Sequence, residues 1–230
     1  MGKTLMVSKP SCIAPQDGYI LEQLREQFAA AYVLLHPFLR PHALPLSRFT
    51  PDSYPDRSEI VADCQPVNWQ SVASATGLPD IAAIDIALCT QSHSLRQQLC
   101  RDDYAQQLAQ YCEGHGLVPP DKGELPEIWQ DQLLLLLAGN SDSVWYGDEF
   151  GDHCQLLSLA RLGSDHQAPH SHPRFFSPDG ELMLSTHWDS YYSLVAGSPE
   201  RLRPFTCFEG FYCQPDTRVR WSLPPKSAGA

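Results

Sequence analysis

Apolar positions along the chain fall into two stretches with different periods. Between residues 17 and 140 they recur at helical spacing. Asp17 stands where an N-cap belongs, and Ile20, Leu21, Leu24, Phe28, Ala31, Tyr32 and Leu35 share one stripe. This pattern predicts a helix to about His36, ended by Pro37. Pro41, Pro45, Pro51 and Pro55 then predict a long extended connection over about 37–57. Phe38, Leu46, Phe49 and Tyr54 would hold it against the surface. Asn68 and Gly77 bracket a short helix. Asp80 opens another, to about Thr90. A longer helix is predicted from Ser94 to about Cys112, before Gly114 and Gly116. Pro119, Pro120 and Gly123 make a turn. Pro126 starts a further helix through Leu137, stopped by Gly139 and Asn140.

Beyond residue 140 the period shortens. Val144 to Tyr146 and Gln155 to Leu159 predict strands. Residues 173–196 alternate around a turn at Pro178-Asp179-Gly180, and Trp188 to Val195 is a third strand. Ser198-Pro199-Glu200 opens a short helix, and Phe208 to Cys213 and Arg218 to Trp221 are closing strands. The predicted fold class is α+β, with an N-terminal mainly helical part (17–140) packed on a C-terminal antiparallel sheet (141–221). Residues 17–221 form a single domain in this reading. Residues 1–16 are an extended arm and 222–230 a disordered tail.

Composition supports a folded chain. Of 230 residues, 43% are hydrophobic and 19% charged, which suits a core and not a disordered polymer. The formal net charge is −11, and it is unevenly placed. Residues 61–150 carry thirteen acids and three bases; the flanking stretches are nearly balanced. This excess repels phosphate, so nucleic acid is not an expected partner; nor, for want of a spanning segment, is a membrane. No apolar run reaches the ~18–20 residues of a membrane span. Met1 to Pro15 lacks the apolar run of a signal peptide, so a cytoplasmic location is the expectation. The eight cysteines form no CxxC pair and read as buried thiols.

Candidate chemistry is sparse. Ala73-x3-Gly77-Leu78, followed by a helix from Asp80, has helix-turn-helix spacing. That second helix holds no Lys or Arg and carries Asp85, which marks a core helix and excludes a recognition helix. Asp165, His166, His170 and His172 lie within eight residues, with His187 after a hairpin. His-x-His suits zinc, the alternative to an expectation of no cofactor. Asp148-Glu149 stand at the change of period, and Asp189 follows Trp188. No G-x-S-x-G, Walker or Rossmann motif is present, so no residue is assigned a catalytic role. Cys207 and Cys213 border Phe205, Phe208, Phe211 and Tyr212, a setting that favours buried thiols.

The most distinctive pattern is His187-Trp188-Asp189-Ser190, then Glu209-Gly210-Phe211-Tyr212-Cys213, then Thr217 and Trp221, with Ile84 to Leu88 and Asp148 to Phe150 upstream. It resembles an uncharacterised bacterial family, one of the domains of unknown function, over about 65–221. The resemblance implies a bacterial origin and a shared fold, and no activity. The residues themselves allow an aromatic sheet core of Trp188, Phe211 and Trp221. Asp189, Ser190, Glu209 and Thr217 would then satisfy strand ends. They also allow a pocket lined by His187, Asp189 and Glu209.

Three functions are open on these grounds. The first is an acidic protein-binding protein of the immunity type, which neutralises a basic toxin through Asp102, Asp103, Glu113, Asp121, Glu124, Glu127 and Asp131. The second is a metal-dependent hydrolase built on His166, His170, His172 and His187. The third is a small-molecule binding module around Trp145, Trp188 and Tyr191.

Overall fold

In chain order the elements of the computed structural model are α1 (Ile20–Leu24), β1 (Ala30–Leu35), β2 (Phe38–Pro41), α2 (Arg57–Asp63), β3 (Cys64–Val67), α3 (Trp69–Thr76), α4 (Ile81–Gln91), α5 (Asp102–His115), α6 (Glu127–Ala138), β4 (Ser143–Gly147), β5 (Cys154–Ser158), α7 (Leu159–Leu162), β6 (Arg174–Phe176), β7 (Met183–Thr186), β8 (Tyr192–Gly197), α8 (Pro199–Leu202) and β9 (Gly210–Tyr212). The structure describes residues 9–10, 13–148, 152–163 and 172–223. The fold is mixed α+β. No single helix among the described residues is long and apolar enough to cross a membrane. The chain forms two compact units, one of residues 1–36 and 122–217, the other of residues 37–121 and 218–230.

The first unit holds a seven-stranded antiparallel sheet in the order β5-β4-β6-β7-β8-β1-β9. The register Tyr146↔Phe175↔Leu184↔Val195↔Tyr32 sets one row of side chains across five strands. The row packs with Trp129, Leu133, Leu134 and Leu137 of α6 and with Leu202, Phe205 and Phe208. The helical stripe of α6 is therefore satisfied by a sheet face. β7 and β8 are buried along their whole length, so both faces are covered.

Here two expectations fail. The helix predicted over 17–36 stops at Leu24, and residues 30–35 form β1. A run of Ala-Ala-Tyr-Val-Leu-Leu buried between two strands matches helical spacing by accident, because a fully buried strand has no polar face to show its period. The helical-first, sheet-second order therefore holds only in part. The sheet takes a strand next to its β9 edge from the N-terminal region. Residues 218–221 also differ: they form a bridge residue and turn, not a closing strand.

The second unit is helical with a two-stranded sheet, β2 against β3. This sheet lies within and beyond the predicted extended connection, and α2 follows a capping box at Asp56 and Glu59. Its prolines, Pro41 and Pro66, are tolerated because they occupy positions that do not bond across the ladder: Leu39, opposite Pro66, bonds Val118 on its other side instead. The Asp63 carboxylate accepts the backbone N–H groups of His42, Ala43 and Leu44 at 2.9–3.1 Å, which closes that segment. Gly77 ends α3 in the left-handed conformation, and Asp80 caps α4 by accepting the Ala83 N–H at 2.9 Å. α3 and α4 meet at 87°. Seven of the eleven α4 residues are buried, as a core helix requires. α5 starts later than predicted, at Asp102: residues 97–99 form a 3-10 turn, and the Arg101 N–H bonds the Thr90 hydroxyl at 3.1 Å. The Ser222 hydroxyl donates to the buried Asp85 carboxylate at 2.5 Å and ties the last described segment to α4.

Candidate functional site at the polar end of the sheet

At one end of the seven-stranded sheet, β1, β4 and β7 finish and β6 and β8 begin. The register places Thr186, Ser193 and Leu34 side by side. His36 lies two residues beyond Leu34, on the same face. His36 Nε2 is 2.8 Å from Ser193 Oγ, which is 2.7 Å from Thr186 Oγ1. All three side chains are buried. The His36 N–H donates to the Tyr191 carbonyl at 3.0 Å, which holds the ring in line with β8. On the opposite face Arg174 pairs in register with Ser185. The Arg174 side chain donates to the Asp148 carbonyl, and its guanidinium lies 4.0 Å from the Asp148 carboxylate. That carboxylate accepts the N–H groups of Asp152 and His153 at 3.1 and 2.9 Å, so Asp148 holds the residues that lead into β5. Glu149 lies outside the described residues.

The 187–190 loop closes this end. The Ser190 N–H bonds the His187 carbonyl at 3.0 Å, and His187 Nδ1 accepts the Asp189 N–H at 3.1 Å. A neutral His187 ring therefore carries its proton on Nε2. The Asp189 carboxylate is buried and accepts Lys122 Nζ at 3.1 Å. Next to Lys122, the Gly123 N–H donates to the Ser190 carbonyl at 2.9 Å, and its carbonyl accepts from His172 Nδ1 at 2.9 Å. Gly123 has φ +80°, and a Cβ there would stand 2.6 Å from the Trp188 carbonyl and 2.9 Å from the His172 ring. Only glycine fits. His172 itself has φ +60°, an uncommon conformation for a residue other than glycine. Trp188 is 49% exposed, with its ring centroid 5.6 Å from that of His187.

His187 and Asp189 thus share one loop. Glu209 is half-buried at the same sheet end, where its carbonyl accepts the Leu35 N–H at 2.9 Å, so β1 separates it from them. Of the zinc candidates, Asp165, His166 and His170 lie outside the described residues. His172 and His187 are described, and among the described residues no three metal-ligating side chains converge. The aromatic group of Trp145, Trp188 and Tyr191 does not assemble. The Trp145 indole N–H donates to the Pro178 carbonyl at the opposite sheet end, and Tyr191 is buried. Trp188 is too exposed to be the core residue expected of it. Cys213 is buried, with its thiol pushed up to about 12, whereas Cys207 is exposed. None of the seven described cysteines forms a disulfide.

The acidic candidates divide. Asp102, Asp103, Glu113 and Asp121 belong to the second unit, and Glu124, Glu127 and Asp131 to the first. Asp103 is held by Arg101 at 2.6 Å, and that guanidinium lies 3.7 Å from the Tyr104 ring centroid. Counted by unit, the first carries seventeen acids and eight bases, net −9; the second carries ten and eight, net −2. The sheet-bearing unit carries more of the charge, and residues 122–150 of the acidic stretch supply −5 of it.

His36, Thr186, Ser193, Lys122 and Gly123 were not singled out as site residues from sequence. Two signals were present. Lys122 is the one base between Arg101 and Arg161, and Ser193 interrupts an apolar strand.

This sheet end carries the HWDS residues on which the family resemblance rested. The chain matches the family described as "Protein of unknown function (DUF2711)" over residues 16–223. It belongs to that family. The match extends well beyond the expected 65–221 and includes β1 and His36. The chain is also 26% identical over 215 residues to "Uncharacterized protein YwbB" of Bacillus subtilis (strain 168), covering 89% of this chain and 95% of that protein. The bacterial relative agrees with the origin the resemblance implied. No solved structure matches the chain.

Proposed function

We propose that this protein binds a small polar molecule at the polar end of its seven-stranded sheet. One observation carries the reading. Of the eleven buried polar or charged side chains among the described residues, eight gather there: His36, Asp148, Arg174, Ser185, Thr186, Asp189, Ser190 and Ser193. Burying such groups costs free energy even when they are hydrogen-bonded, and apolar residues would fill the same space more stably. Their concentration at one end of the sheet, on both of its faces, favours a task over packing alone.

The groups that a ligand can reach are the Trp188 ring, the half-buried His172 and His187, and the Lys122 ammonium. Together they suit a molecule with a flat or apolar part and an anionic group. The His36–Ser193 spacing is that of a base and a nucleophile. Both side chains are closed off, so their role in this reading is to fix the sheet end. Binding to a basic partner through the acidic surface has less support, because its seven carboxylates are shared between two units. The cysteines, without a disulfide among those described, favour a cytoplasmic setting.

The test is a thermal-shift screen with carboxylate- and phosphate-bearing metabolites. A true ligand at a hundredfold its Kd raises Tm by about 5–10 °C. Trp188→Ala loses that shift while keeping the unliganded Tm. No shift with any compound, together with capture of a basic protein that Glu127→Lys and Asp131→Lys abolish, would replace this reading with the acidic-partner one.

A further inference from the structure

The sheet has two edges, β9 and β5. β9 is three residues long, and β5 is five. Along β5 the hydrogen-bonding directions follow from the bonds that bracket its ladder. The Asp148 N–H bonds the His153 carbonyl, and the Leu159 N–H bonds the Asp142 carbonyl. Alternation then directs the N–H and C=O groups of Gln155 and Leu157 toward β4. Those of Cys154, Leu156 and Ser158 face outward. Edge strands of this kind are ordinarily blunted by lysine, proline or a bulge. Cys154 to Ser158 contains no charge and no proline, and Leu156 is 51% exposed.

We propose that β5 pairs antiparallel with β5 of a second copy of this chain, about a two-fold axis at Leu156. The strand is suited to itself in two ways. Its first unit carries a net charge of −9, which repels a second copy, yet the strand is neutral along its length. Its ends carry opposite charges: Asp152 precedes it and Arg161 follows it, and both are exposed. Antiparallel self-pairing brings the acidic end of each strand to the basic end of the other; parallel pairing sets like charges together. At the axis the two Leu156 residues exchange backbone hydrogen bonds, with Cys154 opposite Ser158 on either side. The pairing joins two seven-stranded sheets and removes one exposed edge from each.

Sedimentation and light scattering of the full chain test this. Wild-type protein sediments as a dimer that dissociates on dilution. Leu156→Pro removes only an outward-facing N–H, so it leaves the β4 ladder intact and gives a monomer with unchanged Tm. Leu156→Lys gives the same result if the proline variant folds poorly. Asp152→Arg and Arg161→Asp each weaken the dimer by about two- to fivefold, and the double reversal restores it. A wild type that is monomeric at every concentration overturns the proposal. So does a dimer that survives both Leu156 variants, or a double reversal weaker than either single change, since the partner edge would then not be this strand.

Discussion

β6 and β7 run between two unlike ends. At one end they meet through the Pro178–Gly180 turn, beside Phe176, Met183 and Leu182; at the other they end in Arg174, Ser185 and Thr186. Both ends contain polar groups, but of different reach. At the turn, Ser177 bonds Asp179 at 2.5 Å and accepts the Leu182 N–H at 2.9 Å, all within five residues. Arg201 then clasps Asp179 and Glu181 from outside at 2.6 and 2.9 Å. At the polar end, His36 reaches Ser193, Lys122 reaches Asp189 and Gly123 reaches His172, across 157, 67 and 49 residues. Short-range bonds shape a turn. Bonds across 49 to 157 residues demand that distant segments arrive together, which is the arrangement of a site.

Substitutions can separate the two ends. The largest effect is expected in the apolar row that both ends share. Phe175→Ala should cost about 3–5 kcal/mol in urea unfolding and should not alter ligand selectivity in the folded fraction. At the polar end, Asp189→Ala leaves the Lys122 ammonium without its carboxylate and should cost about 2–3 kcal/mol, with Asp189→Asn costing less. Ser193→Ala takes a partner from both His36 and Thr186 and should cost about 1–3 kcal/mol. A Ser193→Ala, Thr186→Val cycle should be clearly non-additive. At the turn, Asp179→Ala removes a partly exposed ion pair, and about 0.5–1 kcal/mol is expected. If Asp179→Ala proved as costly as Asp189→Ala, the contrast between the ends would fail.

A last effect shows only as a loss of stability at alkaline pH. Burial pushes the Tyr32 phenol up to about 12 and the Cys213 thiol up to about 12, from ordinary values of 10.0 and 9.0. Both groups are neutral when protonated, so the folded state holds their protons more tightly than the unfolded one. Their contribution is complete below pH 9 and is lost as pH rises toward 12. Tyr32→Phe, which also loses the hydroxyl's 2.9 Å bond to the Phe208 carbonyl, should lessen the alkaline fall in Tm. An unchanged alkaline profile would remove Tyr32 from this account.

Much of the local structure was legible. Asn68, Gly77, Asp80 and Gly139 mark helix ends because caps act on backbone groups a few residues away. The hairpin around Pro178-Asp179-Gly180 was legible for the same reason. β1 was not, since its neighbours β8 and β9 lie more than 150 residues away and its buried faces hide a two-residue period. The site was legible only where it is contiguous. His187, Asp189 and the HWDS run stand out in the chain, whereas His36 reads as the end of a helix until β1 exists to place it.

By itself, then, the sequence determined the mixed class, the termini of α3, α4 and α6, the family and the core character of α4. Each of these depends on residue type or on neighbours within a turn or two. Tertiary structure alone decided which residues share a surface. It carried His36 to Ser193 and Lys122 to Asp189. It divided the seven acidic candidates, and the acidic stretch that holds them, between two units. The physical reason is that strand pairing and buried hydrogen bonds act between segments far apart in the chain, and no local period records which segments will meet.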